Sequence, residues 1–293
     1  KNKEKIMKIS IICPTRGRTI SLWRGLVSII KTANDVSNLE FIIRFDEDDN
    51  ASLNSTMEFF DVELVSHPTE ENVEFNWGNS TYQVINTISK KHNGMSMIFI
   101  RGTRHGYNLL NRYYDEASHV STGEYLVIWS DDMEIKNTAT GGWDSHVREA
   151  EGQFYIFTFD WDDGFPRIVP RKYFELNNTL SPNVLDDRFW IDFLKMFDVH
   201  IQLEYKSDHN CQFDSGGDPL IEGYDLTAVE GRGNWIRQKG SDCQEEWQFF
   251  DIEHFNRIAR YLKDNPNTNT PRNHISKFYG QAFTGHTLCW QPK

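Results

Sequence analysis

Cysteine is scarce and scattered: Cys13, Cys211, Cys243 and Cys289 are the four in 293 residues, and no two have Cys-x-x-Cys spacing. That pattern supports neither a disulfide framework nor a zinc finger, so reduced thiols are expected. Basic side chains are in deficit, with 31 Lys and Arg against 43 Asp and Glu and a net charge of -12. So acidic a chain lacks the basic surface that broad binding to nucleic-acid phosphates needs, and no nucleic-acid partner is expected. Long apolar runs are missing as well. The basic start, Lys1 to Lys8, leads only into Ile9 to Cys13 before Pro14. That is too short for the apolar core of a secretory signal and far short of the roughly 20 residues that span a bilayer. The expectation is a cytoplasmic protein without a transmembrane segment. Pro (9) and Gly (19) are ordinary in number, and there is no repeat or low-complexity tract. The 9 Trp, 11 Tyr and 20 Phe supply a core that a disordered or collagen-like chain would not have.

What is present is an alternation of apolar patterns. Ile6 to Cys13 is an Ile-rich run that stops at Pro14, as a buried strand ending in a loop would. Leu22, Leu26, Ile29, Ile30 and Ala33 then share one helix face, behind Thr19 and Ser21 as cap residues. Leu39 to Phe45 reads as a second strand, running straight into Asp46-Glu47-Asp48-Asp49. Strand, helix, strand is a βαβ unit, which implies a parallel sheet with loops gathered at the carboxyl ends of its strands. The pattern continues with a helix over Tyr82 to His92 and a strand over Met95 to Ile100. A helix over Asn108 to Val120 follows, with Leu109, Leu110, Tyr113, Ala117 and Val120 in one stripe, closed by Ser121-Thr122-Gly123. Glu124 to Trp129 is a strand that stops at Ser130-Asp131-Asp132. Beyond it the alternation weakens. Tyr155 to Phe159 and Val199 to Tyr205 read as strands, Asp186 to Phe197 and Glu245 to Lys263 as helices, and 206–243 as a long polar loop or pair of loops. The expected fold is α/β, with a mostly parallel central sheet flanked by helices and a mixed α+β second half, in one large domain.

Two acidic clusters, Asp46 to Asp49 and Asp131-Asp132, sit where strands of that sheet should end. Ligands of open α/β sheets bind beyond those ends. Adjacent carboxylates repel unless a cation or hydrogen-bond donors compensate them. A hard divalent ion, Mn²⁺ or Mg²⁺, takes few protein carboxylates and completes its shell with water and phosphate oxygens, so such a doublet can present a metal to a diphosphate. The same residues also fit helix capping or a solvated surface, and both readings stand at this point.

The run Ile9-Ser10-Ile11-Ile12-Cys13-Pro14-Thr15-Arg16-Gly17-Arg18 resembles the opening strand and nucleotide loop of GT-A glycosyltransferases, family 2 in particular. Phe41 to Asp49 resembles their second strand with its acidic end. Gly106 to Asp132, with Gly106, Asn111, Ala117, Thr122-Gly123-Glu124-Tyr125 and Ser130-Asp131-Asp132, resembles the stretch leading to their Asp-x-Asp motif. The resemblance covers residues 6–135. It implies a Rossmann-like GT-A fold with a nucleotide-sugar half at 1–135 and an acceptor half at 136–293, the latter carrying a C-terminal helical extension. It implies that Pro14, Thr15 and Arg18 cradle the nucleotide, and that Asp46 contacts the base. Arg101 and Arg104 would answer the diphosphate charge. Asp132 matches the metal-binding acid and Asp131 the one facing ribose or donor sugar. Ser130 stands where the family often has an acid, which leaves open which carboxylate touches metal directly.

The second half of such enzymes shapes the acceptor site and supplies a catalytic carboxylate. Leu185-Asp186-Asp187-Arg188-Phe189-Trp190 is similar to their acidic pair at a helix start, which implies Asp187 as general base with Asp186 as its rival. Both also fit simple N-capping. His209 resembles a late-loop histidine that contacts metal or diphosphate, with a plain surface histidine as the alternative. Trp161, among Asp160, Asp162 and Asp163, can offer an aromatic face to an acceptor sugar. The implied activity is metal-dependent transfer of a sugar from a UDP- or GDP-sugar to a hydroxyl acceptor, with inversion by single displacement. A nucleotidyltransferase shares the layout, but its opening loop would be richer in Gly with a nearby Lys. A catalytically silent nucleotide- or sugar-binding protein of the same fold is the reading from another class, which Ser130 leaves open.

Overall fold

The computed structural model describes residues 7–106, 109–136, 141–159, 166–180, 197–209 and 256–269, with positions 194, 254, 271, 274 and 275. The Ile-rich start forms β1 (Ile9–Thr15), every residue of it buried. A strand apolar on both faces needs a cover on both, which is the condition of a parallel sheet between helices. Burial of its Ile9, Ile11 and Ile12 contributes about 1.5–3 kcal/mol for each side chain. After it come α1 (Thr19–Thr32), β2 (Leu39–Asp46), α2 (Asn50–Phe59), β3 (Val62–Leu64), β4 (Thr69–Phe75), β5 (Gly78–Ser89), β6 (Met95–Gly102), α3 (Leu110–Val120) and β7 (Tyr125–Ile128). The remaining elements are β8 (Met133–Lys136), α4 (Trp143–Arg148), β9 (Ile156–Thr158), β10 (Arg167–Pro170), α5 (Arg171–Asn177), β11 (His200–Gln202), β12 (Lys206–His209) and β13 (His274–Ile275).

Eleven strands make one sheet in the order β13-β11-β9-β10-β7-β1-β2-β6-β5-β3, with β4 also paired to β5. Its centre, β7-β1-β2-β6, is parallel throughout. Antiparallel strands β10 and β5 flank that centre. The register aligns the central strands at one edge: Thr15 lies opposite Phe45, Asp46 opposite Gly102, and β7 stops at Ile128 opposite Ile12. The segments after β1, β2, β6 and β7 therefore meet at that carboxyl edge. A separate pair, β12 with β8, is antiparallel.

Helix α1 buries Leu22, Leu26 and Ile29, as its spacing predicts, but also the small residues Ser21, Gly25 and Ser28. The small ones permit close packing on β8. A Cβ on Gly25 would come within 2.4 Å of the Met133 carbonyl oxygen, and Ser28 Oγ accepts the Ile135 N–H at 2.8 Å. Strand β8 leads on from Asp132, so this contact fixes where the acidic turn sits. Among the described residues no helix is long and apolar enough to cross a membrane.

Four expectations are corrected. Tyr82 to His92 is not a helix; most of it lies in β5, where Thr81, Tyr82, Val84, Ile85, Thr87 and Ile88 supply the β-branched and aromatic side chains that suit a pleated surface. The free edge of β6 needed a partner, and that demand outweighed the i, i+3 spacing. Strand β1 runs through Pro14, which is tolerated because β7 has already ended and no ladder bond is lost on that side. The N-cap of α1 is Arg18, not Thr19 or Ser21. Residues 206–209 form a strand; the rest of the expected loop, 210–243, lies outside the described residues. So does most of the helix expected over Asp186 to Phe197, whereas 256–264 is helical within the one expected over Glu245 to Lys263.

Candidate functional site

Following β1, the chain turns through Arg16-Gly17-Arg18 and meets the Ser130-Asp131-Asp132 turn that follows β7. Thr15 Oγ1 donates to Asp131 Oδ2 at 2.8 Å. Arg18 Nη1 lies 3.2 Å from Asp131 Oδ1 and 3.2 Å from Asp132 Oδ2. Ser130 Oγ donates to the other oxygen of Asp132. Burial pushes the Asp131 carboxyl up to about 6, with the Asp132 charge adding to the rise and Arg18 and Thr15 opposing it. Beneath them, burial and the same two acids raise the Cys13 thiol well above its ordinary value, so it stays protonated and unreactive.

A second cluster spans β1 and β2. Arg16 Nη1 donates to Asp46 Oδ2 at 3.0 Å, and Nη2 donates to Asp48 Oδ2 at 3.0 Å. The Arg16 hydrogen bond holds the Asp48 carboxyl below the usual carboxylate range, with the Arg104 charge adding to it. Gly17 adopts a left-handed φ of 67°, which turns its N–H to Asp49 Oδ2 at 2.9 Å. Asp49 is also the N-cap of α2, accepting the Ser52 N–H. Within the first acidic cluster, then, capping accounts for Asp49, while Asp46 and Asp48 hold a guanidinium.

The loop after β6 is tied to the same place by Tyr113 of α3. Its hydroxyl donates to Asp46 Oδ1 at 2.8 Å and accepts the N–H groups of His105 (2.7 Å) and Gly106 (2.9 Å). Behind it, Arg44 Nε donates to Glu116 Oε2 at 2.6 Å and Arg44 Nη2 to the Thr103 carbonyl at 2.7 Å. His105 Nε2 lies 2.7 Å from Glu116 Oε1. Burial opposes ionisation of Glu116, but the His105 hydrogen bond and the Arg44 charge hold its carboxyl below the ordinary range.

The structure brings together Pro14, Thr15, Arg18, Asp46, Asp131 and Asp132 of the residues picked from the sequence. Arg101 instead donates to the Glu47 carbonyl at 2.8 Å, pinning the loop after β2. Arg104 is exposed near Asp48. His209 enters by backbone pairing: β12 runs antiparallel to β8 with His209 opposite Met133, the residue after Asp132. Asp186, Asp187 and Trp161 lie outside the described residues. Sequence reasoning missed Arg16 and Tyr113. Arg16 stands in the motif loop, where its sign matches the acids after β2, but Tyr113 reads as one more apolar member of a helix stripe.

Chemically, the edge offers a carboxylate, Asp46, whose two oxygens are held by Arg16 and Tyr113, and a nearly buried carboxylate pair in contact with one guanidinium. Asp131 and Asp132 are hard oxygen donors on successive residues, a set that fits a divalent ion completing its shell with water and phosphate. Among the described residues no group of three or more His, Cys, Asp or Glu side chains converges on one point.

No protein-family model matches the chain, and no curated protein matches it. Among solved structures it is similar to S. aureus TarS 1-349, at 13% identity over 88% of this chain and 74% of that one, with a TM-score of 0.48. The same TarS 1-349 in complex with UDP-GlcNAc gives 13% identity over 88% and 74%, TM-score 0.46. The mannosyltransferase PcManGT from Pyrobaculum calidifontis in complex with GDP-Man and Mn2+ gives 10% identity over 90% of this chain and 66% of that one, TM-score 0.45.

Proposed function

We propose that this chain is a GT-A glycosyltransferase that moves a sugar from a UDP- or GDP-sugar to a hydroxyl acceptor, using Mn²⁺ or Mg²⁺. One observation carries the reading: the acids after β2 and β7 and the arginine loop after β1, distant in sequence, converge at the edge where the motif resemblance puts a nucleoside diphosphate. Asp46, fixed by Arg16 and Tyr113, accepts the ring N–H that uracil and guanine both present. Asp131 and Asp132 hold the divalent ion, and the β12–β8 register supports His209 as a further ligand. The ion, when bound, neutralises the departing nucleoside diphosphate. Arg18 and Arg104 add positive charge beside it. Asp187, with Asp186 as rival, takes the proton of the hydroxyl as it attacks the anomeric carbon opposite the departing nucleoside diphosphate, a single displacement that inverts that centre. Trp161 supplies an apolar face to the acceptor. The scattered cysteines fit a reducing, cytoplasmic setting.

The test is a panel of nucleoside diphosphate sugars incubated with Mn²⁺ or Mg²⁺, following release of UDP or GDP. The expected result is release from one donor, lost in Asp132→Asn and on chelation. Silence across the panel, with no nucleotide binding by calorimetry, overturns the proposal and favours a silent member of the fold.

A further inference from the structure

Arg18 occupies an unusual position. As N-cap of α1 its side chain makes no capping hydrogen bond. Its guanidinium crosses instead to the turn after β7, where a single nitrogen is 3.2 Å from an oxygen of each of two successive aspartates. All three side chains are nearly buried, Arg18 at 12% exposure, Asp131 at 11% and Asp132 at 13%. Charge-assisted N–H···O bonds ordinarily close to about 2.7–2.9 Å. The two hydrogens of one nitrogen reach an oxygen of each acid, so the guanidinium sits between the two carboxylates, where a shared cation would.

The neighbouring arginines are committed elsewhere. Arg16 holds Asp46 and Asp48, and Arg101 holds the Glu47 carbonyl. Arg18 differs from both in that it contacts the two carboxylates to which the proposed function assigns the metal.

We infer that Arg18 holds the place of the divalent ion in the free protein, and that the ion displaces its guanidinium toward the incoming diphosphate. This rests on the nucleotide-sugar reading above. Without nucleotide, an ion at Asp131 and Asp132 must compete with a positive charge already seated there, so its affinity is low. A diphosphate gives the guanidinium another anion, removes the competitor and favours the ion. Cation and nucleotide thereby bind cooperatively, and by linkage each strengthens the other by the same factor.

The experiment measures Mn²⁺ affinity without nucleotide, from the electron paramagnetic resonance signal of free Mn²⁺, in the wild type, Arg18→Met, Arg18→Gln and Arg18→Lys. The two neutral variants are expected to bind Mn²⁺ about tenfold more tightly than the wild type, within the usual range of coupling between sites. Arg18→Lys, which keeps the charge, is expected to stay within about twofold of it. Adding UDP or GDP is expected to raise Mn²⁺ affinity more in the wild type than in the neutral variants. Thermal melts give an independent readout: the neutral variants melt lower without Mn²⁺ and gain more from it than the wild type does. Neutral variants that bind Mn²⁺ no more tightly than the wild type overturn the inference and leave the transferase reading intact. No Mn²⁺ binding by the wild type, even with UDP or GDP present, overturns the metal reading and the inference together.

Discussion

The two ends of the same strands treat buried charge in opposite ways. At the amino edge of β1, β2 and β7, Glu40 is 1% exposed and collects donors from Lys8, Ser10, both groups of Thr122 and the Gly123 N–H. Burial alone would raise its carboxyl, yet Lys8, Ser10 and Thr122 together hold it below its ordinary value. Gly123 is required there, because a Cβ would meet Ser10 Oγ at 2.4 Å. At the carboxyl edge, Asp131 and Asp132 share one guanidinium, and the Asp131 carboxyl rises to about 6. The amino edge is satisfied and therefore structural. The carboxyl edge places two adjacent acids against a single guanidinium and leaves one of them with a raised carboxyl, whereas the clamp holds its acid well ionised.

Removing the clamp should produce the largest effect. Glu40→Ala takes an acceptor from a lysine, two hydroxyls and two N–H groups, of which Lys8 keeps Thr122 Oγ1 and the Gly123 N–H keeps Ser10 Oγ, and should lower the unfolding free energy in urea by about 3–5 kcal/mol. A loss below about 1 kcal/mol would mean that the two edges do not differ as described.

Asp132→Asn should act on activity rather than stability. UDP or GDP release should fall on the order of 100-fold, equivalent to about 2.7 kcal/mol, while the urea midpoint changes little. Chelating the divalent ion from the wild type should reproduce that loss. Asp132→Asn with wild-type turnover would remove this residue from the site.

The two edges should also respond oppositely to pH. Folded Asp131 keeps its proton up to about pH 6, whereas the unfolded chain releases it near the ordinary carboxylate value. Stability from this group therefore falls as pH rises through that window, by roughly 2–3 kcal/mol in all. Glu40 does the reverse: its contribution is present above the unfolded value and is lost as pH falls through the lowered folded one. Asp131→Asn should remove the first dependence and be at least as stable as wild type at pH 7.5. If calorimetry between pH 4 and 7.5 gives parallel curves for the two proteins, the burial of Asp131 charge is not the cause.

The smallest change concerns Tyr113, which joins the loop after β6 to Asp46. Tyr113→Phe should weaken nucleotide binding by about fivefold, near 1 kcal/mol, and lower the melting temperature by a few degrees as Asp46 and the His105 and Gly106 N–H groups lose the hydroxyl. An unchanged Kd by calorimetry would leave Tyr113 as packing only.

Much of the central fold was legible because its signals are local. The buried runs of β1, β2, β6 and β7 and the stripes of α1 and α3 each lie within one segment. Strand β5 was not, since Tyr82 to Ser89 carries apolar residues at spacings compatible with either period, and only the open edge of β6 decides between them. The site divides in the same way. Asp46, Asp131 and Asp132 are visible as acids at strand ends, whereas the capping role of Asp49 shows only once α2 is in place. Tyr113 is not, because a hydroxyl on a helix stripe shows no partner until the helix is packed.

By its own local pattern the sequence determined which segments are strands of a parallel sheet and which edge gathers their acidic ends, since periodicity and strand-end position need no distant partner. Only the tertiary structure decided how those charges pair. Whether Arg18 faces the helix or Asp131 and Asp132, and whether His209 pairs beside the acidic turn, depends on registers between residues more than seventy positions apart. A charge is compensated by whatever lies within a few ångströms, and that distance is set by packing rather than by spacing along the chain.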